Sequence, residues 1–296
     1  MNTGAALPHN LHACCAVLGF CRESAYDLLV SFVGVNVLRP LGERTLTLAM
    51  EVCQSLAVLG TVLALAVRPA QWPRTVREVF ARQLFVTGLG AVRYTAALAI
   101  LAGILVVVQT DVWLGRMGMS QMSGRLLVAV LVRELGPFLG NLIVIVSGGS
   151  AVATELGLMK LRGEVRVLEA QGIEPLPYLV MPRVLATGLS TLGLSVWFIL
   201  VAFASGFVFG SLLGEIRVDA LTFGESFAAA LQPKDMLNVV LKGLLPGLYT
   251  GAICTTCGLN VGGVVSGVPA ACRRALVRSV AALFVISALA SVLSYL

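Results

Sequence analysis

Five stretches of this chain, near residues 92–110, 124–152, 178–213, 236–257 and 275–296, run apolar for long enough to cross a membrane as helices. Such a crossing takes roughly 20 residues for about 30 Å of hydrocarbon. The runs are continuous and do not alternate with a period of two, which argues against barrel strands. Composition agrees: of 296 residues, 58% are hydrophobic and only 12% charged, against roughly 25% charged in a globular domain. The expected fold is an all-α membrane protein. A sixth apolar stretch, residues 45–67, carries Glu51 and Gln54 and leads into the basic "RPAQWPRTVREVFARQ". It predicts an elbow helix lying in the interface, with the arginines and Trp72 at headgroup level.

The net charge of +6 is distributed as a topological signal. Arg68, Arg74, Arg77, Arg82 and Arg93 precede the first span; Lys160, Arg162, Arg166 and Arg183 separate the second from the third; Arg273, Arg274 and Arg278 separate the fourth from the fifth. The opposite connections hold only Arg116, Arg125, Arg217 and Lys234. The excess of positive charge therefore predicts a cytoplasmic N-terminus and an outward Leu296. No aromatic or RNP-like interleaving accompanies these residues, so nucleic acid is excluded as a partner. The "CTTC" at 254–257 ends an apolar span and reads as small packing residues. His9 and His12 are the only histidines, and the cysteines beside them lack a four-ligand pattern, so no metal site is expected. Residues 1–42 carry no basic segment ahead of their short apolar stretch and do not make a signal peptide. They read as an N-terminal extension, either a peripheral anchor around Tyr26–Leu38 or a contact for another subunit.

Charge inside the apolar runs is the candidate functional feature. "LVRELGPFLGN" places Arg133 and Glu134 side by side within the second span. Neighbours on a helix point about 100° apart, so the two cannot pair along one face and each needs another partner or water. A buried unpaired charge costs at least ~2.5–3.5 kcal/mol. Lys242 in the fourth span, with Asn238 one turn earlier on the same face, is the remaining cation. At ~1.5 Å per residue, Glu134 lies ~16 Å and Lys242 ~10 Å from the outer ends of their spans, so these charges can meet in the outer half of the bilayer. Two readings stay open: a strut between spans, or a polar feature of a cavity. Gly136, Pro137 and Gly140 permit close helix approach and a bend in the same span.

The inward connection "ELGLMKLRGEVRVLEAQGIEPLP" (155–177) is charged and favours helix until Gly172, Pro175 and Pro177 stop it. It predicts an amphipathic helix over about 157–172, with Leu161, Val165 and Leu168 on one side. That pattern suits a solvated loop and a docking surface equally. The glycine-rich "GLNVGGVVSGVP" lacks the GxxxxGK[ST] spacing, so ATP is not expected to bind this chain.

Three blocks, "RELGPFLG" (133–140), "GSAVATELGLMKLRGEVRVLEAQGIEPLPYLVMPR" (149–183) and "GLNVGGVVSGVPAACRRALVRSV" (258–280), resemble the MlaE/YrbE permease family over roughly residues 43–296. These are membrane subunits of ABC transporters that move lipids with MCE-domain proteins. The resemblance implies an elbow helix and five spans in a bacterial inner-membrane homodimer. Its implied partners are a cytoplasmic ATPase dimer, which binds ATP and Mg, and a periplasmic hexamer of MCE proteins. It makes the 157–172 helix a coupling helix, with Glu164, Glu169, Ala170, Gly172 and Pro175 in the matching motif. It places Arg133, Glu134, Asn238 and Lys242 at or beside a lipid cavity. The chain departs from the family at "VSGGSA", where Ser147 stands in place of a common Arg. An ion-coupled secondary transporter using Glu134 and Lys242 is a rival reading, weakened because no inverted repeat is evident. A membrane scaffold without transport is the other.

Overall fold

The computed structural model of the protein describes residues 39–68, 72–117, 123–212, 220–262 and 265–295. The chain divides into two compact units, Met1–Cys53 and Gln54–Leu296. Of the first unit only residues 39–53 are described, and they are helical; the stretch Tyr26–Leu38 lies outside the described residues. One helix, Arg39–Ala66, runs through the boundary; the contacts described below are those of the second unit. No strand occurs among the described residues.

Five helices are long and apolar enough to span a membrane: Arg74–Arg116, Arg125–Leu161, Leu176–Leu212, Pro233–Leu259 and Gly267–Ser294, here spans one to five. The helix ahead of them ends at Ala66 and has a shorter apolar stretch, Met50–Ala66. Trp72 caps that end, its indole N–H donating to the Ala66 carbonyl at 3.0 Å. Span one starts earlier than the apolar run at 92 suggests. The basic segment Arg74–Leu84 is itself helical and continues through a π-turn at Phe85–Leu89 into the apolar helix. It is amphipathic, with Val76 and Gln83 buried while Arg74, Arg77 and Arg82 stay exposed. In lipid a helix is favoured because it satisfies its own backbone.

Span four is the hub, with 72% of its most apolar window buried against 11% for span five. Glycines and small hydroxyls bring it close to span three. A Cβ added at Gly251 would lie 2.8 Å from Val184 Cα, and one at Gly247 would fall on the Thr191 side chain. Close approach of this kind is how helices associate where lipid is as apolar as the side chains. The hydroxyls involved are satisfied within their own helix: Thr187 donates to Val184 O and Thr191 to Gly188 O.

Span two is irregular, with π-segments at Val128–Leu135 and Ile145–Gly149. The cause of the first is local: Gly136 N–H reaches back five residues to Leu131 O, and Pro137 has no N–H to offer. Gly136 and Gly140 of this span face span three, where added Cβ atoms would meet Ile199 Cδ1 at 2.8 Å and Ser195 Cα at 3.0 Å.

Candidate functional site

Arg133 and Glu134 diverge as helix geometry requires, and each finds its partner on span four. Arg133 Nε lies 2.6 Å from Asp235 Oδ1, and Lys242 Nζ lies 2.6 Å from Glu134 Oε1. Burial is uneven. The Lys242 side chain is 2% exposed and that of Glu134 is 46% exposed, so one side of the pair is open. Ser291 of span five completes the group, accepting from Lys242 Nζ at 2.7 Å and donating to Glu134 Oε1 at 3.1 Å. Spans two, four and five are thereby joined at one point, and a Phe138–Phe284 edge contact at 5.0 Å adds a second tie between two and five.

Two prolines explain why the remaining polar groups sit where they do. Pro137 cannot donate, so the Arg133 carbonyl four residues earlier lacks its α-helical partner. Lys242 Nζ fills that gap at 3.0 Å and Asn238 Nδ2 at 3.2 Å, both from span four. Pro246 does the same to the Lys242 carbonyl. Asn141 Nδ2, on span two, donates there at 3.0 Å, and to Pro137 O at 2.8 Å. Each span thus repairs the backbone gap of the other, which hydrocarbon surroundings demand.

The sequence brings Arg133, Glu134, Asn238 and Lys242 forward, and the fold gathers all four. It also adds three residues that sequence reasoning passed over. Asp235 accepts from Gln232 N at 2.9 Å while holding Arg133, so it caps span four as well; the Pro233 and Asp235 pair at a helix start was a readable capping signal. Asn141 is fully buried, and a carboxamide in the middle of an apolar run was also a signal. Ser291 had none, since an isolated serine in a span is ordinary.

At the other end of span two, the stretch expected as one helix over 157–172 is two. Span two runs to Leu161, Gly163 turns the chain at φ 77°, and a short helix follows at Glu164–Ala170. Only glycine accepts that left-handed backbone without strain, so the helix axis changes direction there. Gly172, at φ 75°, ends the short helix; Ile173 N–H closes onto Leu168 O at 3.0 Å. Val165 and Leu168 rest on the core, while Glu169, Ala170 and Gly172 are exposed and Glu164 and Pro175 half-buried.

The base of this excursion is tied. Arg183 of span three, buried, donates to Glu155 Oε1 at 2.9 Å and to Leu179 O at 2.9 Å. Lys160 Nζ donates to Leu259 O, at the end of span four. Ser147 is exposed and donates to Ile143 O at 2.8 Å within its own helix. Among the described residues no group of three His, Cys, Asp or Glu is placed to hold a metal ion.

Five spanning helices, cross-linked by charge at one end and bearing an exposed amphipathic helix at the other, describe a multi-pass membrane permease. The chain belongs to the MlaE permease family: residues 80–293 match the family described as Permease MlaE. Among curated relatives, a protein named "Probable ABC transporter permease protein" of Rickettsia bellii is 25% identical over 251 residues, covering 83% of this chain and 92% of that protein. The chain spans about half of two others. "Protein TRIGALACTOSYLDIACYLGLYCEROL 1, chloroplastic" of Arabidopsis thaliana is 28% identical over 57% of this chain and 48% of its own length. "Intermembrane phospholipid transport system permease protein MlaE" of Haemophilus influenzae is 32% identical over 45% of this chain and 49% of its own.

Proposed function

We propose that this chain is the permease subunit of an ABC transporter that moves a lipid between the bacterial inner membrane and a periplasmic MCE-domain protein. It works as a homodimer on a cytoplasmic ATPase dimer, with the N-terminus inside and the C-terminus outside. The names of the Haemophilus and Rickettsia relatives support the transport class. The observation that carries the mechanism is the short helix Glu164–Ala170, exposed on its polar side and tied at its base to spans three and four. A rigid element fixed to two spans can turn closure of an ATPase pair into span movement. ATP and Mg belong to that partner; this chain does no covalent chemistry. Lipid tails would be held by apolar burial at ~0.8 kcal/mol per CH₂, with the Arg133, Glu134, Asn238 and Lys242 group orienting the head.

The test is mild-detergent purification of the tagged chain from cells expressing its operon, with mass spectrometry of copurifying proteins and lipids, repeated for Glu169→Lys. Wild type is expected to bring down an ATPase, an MCE protein and a lipid, and the variant to lose the ATPase alone. A chain that comes down without partners would contradict the transporter reading.

A further inference from the structure

The thiols of spans four and five sit in different company. Cys254 is buried, its sulfur 3.8 Å from Ser279 Oγ. Cys272 is half-buried, and its thiol donates to Ser150 O at 3.8 Å. Cys257 lies one turn beyond Cys254 and two residues before span four ends; it is half-buried, and its sulfur accepts from Arg278 Nη1 of span five at 3.6 Å. The thiolate, not the thiol, attacks a disulfide, and a guanidinium on the sulfur supplies the counter-charge that a thiolate needs. Two more cations stand at this end. Exposed Arg274 is one turn before Arg278 on the same face of span five, and exposed Lys160 donates to the Leu259 carbonyl. A partly open sulfur among three cations suits an anionic reagent.

The same sulfur has a structural consequence. Cys257 shares one apolar cluster with Val165 and Leu168, the residues by which the Glu164–Ala170 helix rests on the core. Packed interiors leave no room for an added group of peptide size, so an adduct there must displace its neighbours.

We propose that Cys257 is a modification site for a small anionic disulfide of the acidic-peptide class, and that the mixed disulfide unseats the Glu164–Ala170 helix and stops transport. The Cys257 sulfur attacks one sulfur of the disulfide RS–SR. A Cys257–SR bond forms, the RS–SR bond breaks, and RS⁻ leaves with the electron pair, taking up from solvent the proton that Cys257 released. Cys257 is oxidised and the departing half reduced, while Arg278 keeps its proton. The site stands on the thiol geometry; the loss of transport rests on the lipid-permease reading, in which that helix meets the ATPase.

The experiment treats the purified full-length protein, with its copurifying subunits, with glutathione disulfide and follows each cysteine by peptide mass spectrometry. Wild type is expected to take up glutathione at Cys257 about tenfold faster than at Cys272, and dithiothreitol to remove it. Arg278→Gln should slow the Cys257 reaction about tenfold. Arg278→Lys keeps a cation there and is expected to stay near the wild-type rate, which separates lost charge from a disturbed fold. In vesicles, treated wild type should lose ATP-driven lipid transfer while treated Cys257→Ser keeps it. No adduct at Cys257, or one formed as fast as at Cys272 and unaffected by Arg278→Gln, would overturn the site and leave the permease reading in place. An adduct that leaves transfer unchanged would overturn the unseating of the helix. Untreated wild type that moves no lipid would count against the permease reading, with the site still decided by the peptide masses.

Discussion

Span two meets a buried cation toward each end, Lys242 of span four near its start and Arg183 of span three near its finish, and the two are held in opposite ways. In both, the cation is covered and its carboxylate half-open: 2% against 46% exposed for Lys242 and Glu134, 5% against 52% for Arg183 and Glu155. At the first, Arg133 O also accepts from Asn238 and Glu134 Oε1 also accepts from Ser291. At the second, Glu155 is bonded by Arg183 alone among the described residues, and Arg183 Nε has no partner. Shared bonding spreads the first tie over several residues; the second is a clasp made by one pair. The clasp closes the base of the excursion carrying Glu164–Ala170, where stiffness is needed if force enters there.

The contrast can be broken by experiment. Arg183→Met should have the largest effect on stability, about 3 kcal/mol, because it strands Glu155 and uncovers Leu179 O; thermal melting in detergent measures it. Asp235→Ala should follow at about 2 kcal/mol, since one carboxylate both caps span four and holds Arg133. Lys242→Met should cost only about 1 kcal/mol in the same assay, because Asn238 and Ser291 keep its partners bonded, while lipid transfer by the assembled transporter falls sharply. Equal losses for Arg183→Met and Lys242→Met would erase the distinction between the two ties. Gly163→Ala should cost about 1 kcal/mol through its left-handed backbone alone, with the effect on ATP-driven transfer exceeding the effect on melting.

How much of this was legible follows the physics of each signal. The five spans stood out because hydropathy accumulates over many residues. The meeting of Glu134 with Lys242 followed from helix rise and a shared boundary of their two spans. The helical start of span one at Arg74 was obscured because its exposed arginines lower the hydropathy of a segment whose Val76 and Gln83 are buried. The break at Gly163 was hidden because a glycine in a helix-favouring run shows its need for positive φ only in three dimensions. Asn141 stood out as a carboxamide in an apolar run, but the carbonyl it serves lies on another span; Ser291 owes its importance to Glu134, 157 residues away, which local pattern cannot encode.

The most direct measurement is lipid transfer by the purified complex, reconstituted in vesicles with a fluorescent phospholipid and supplied with ATP or a non-hydrolysable analogue. The account predicts transfer that requires hydrolysis and is lost in Glu169→Lys. An intact complex that hydrolyses ATP yet moves no lipid would contradict it.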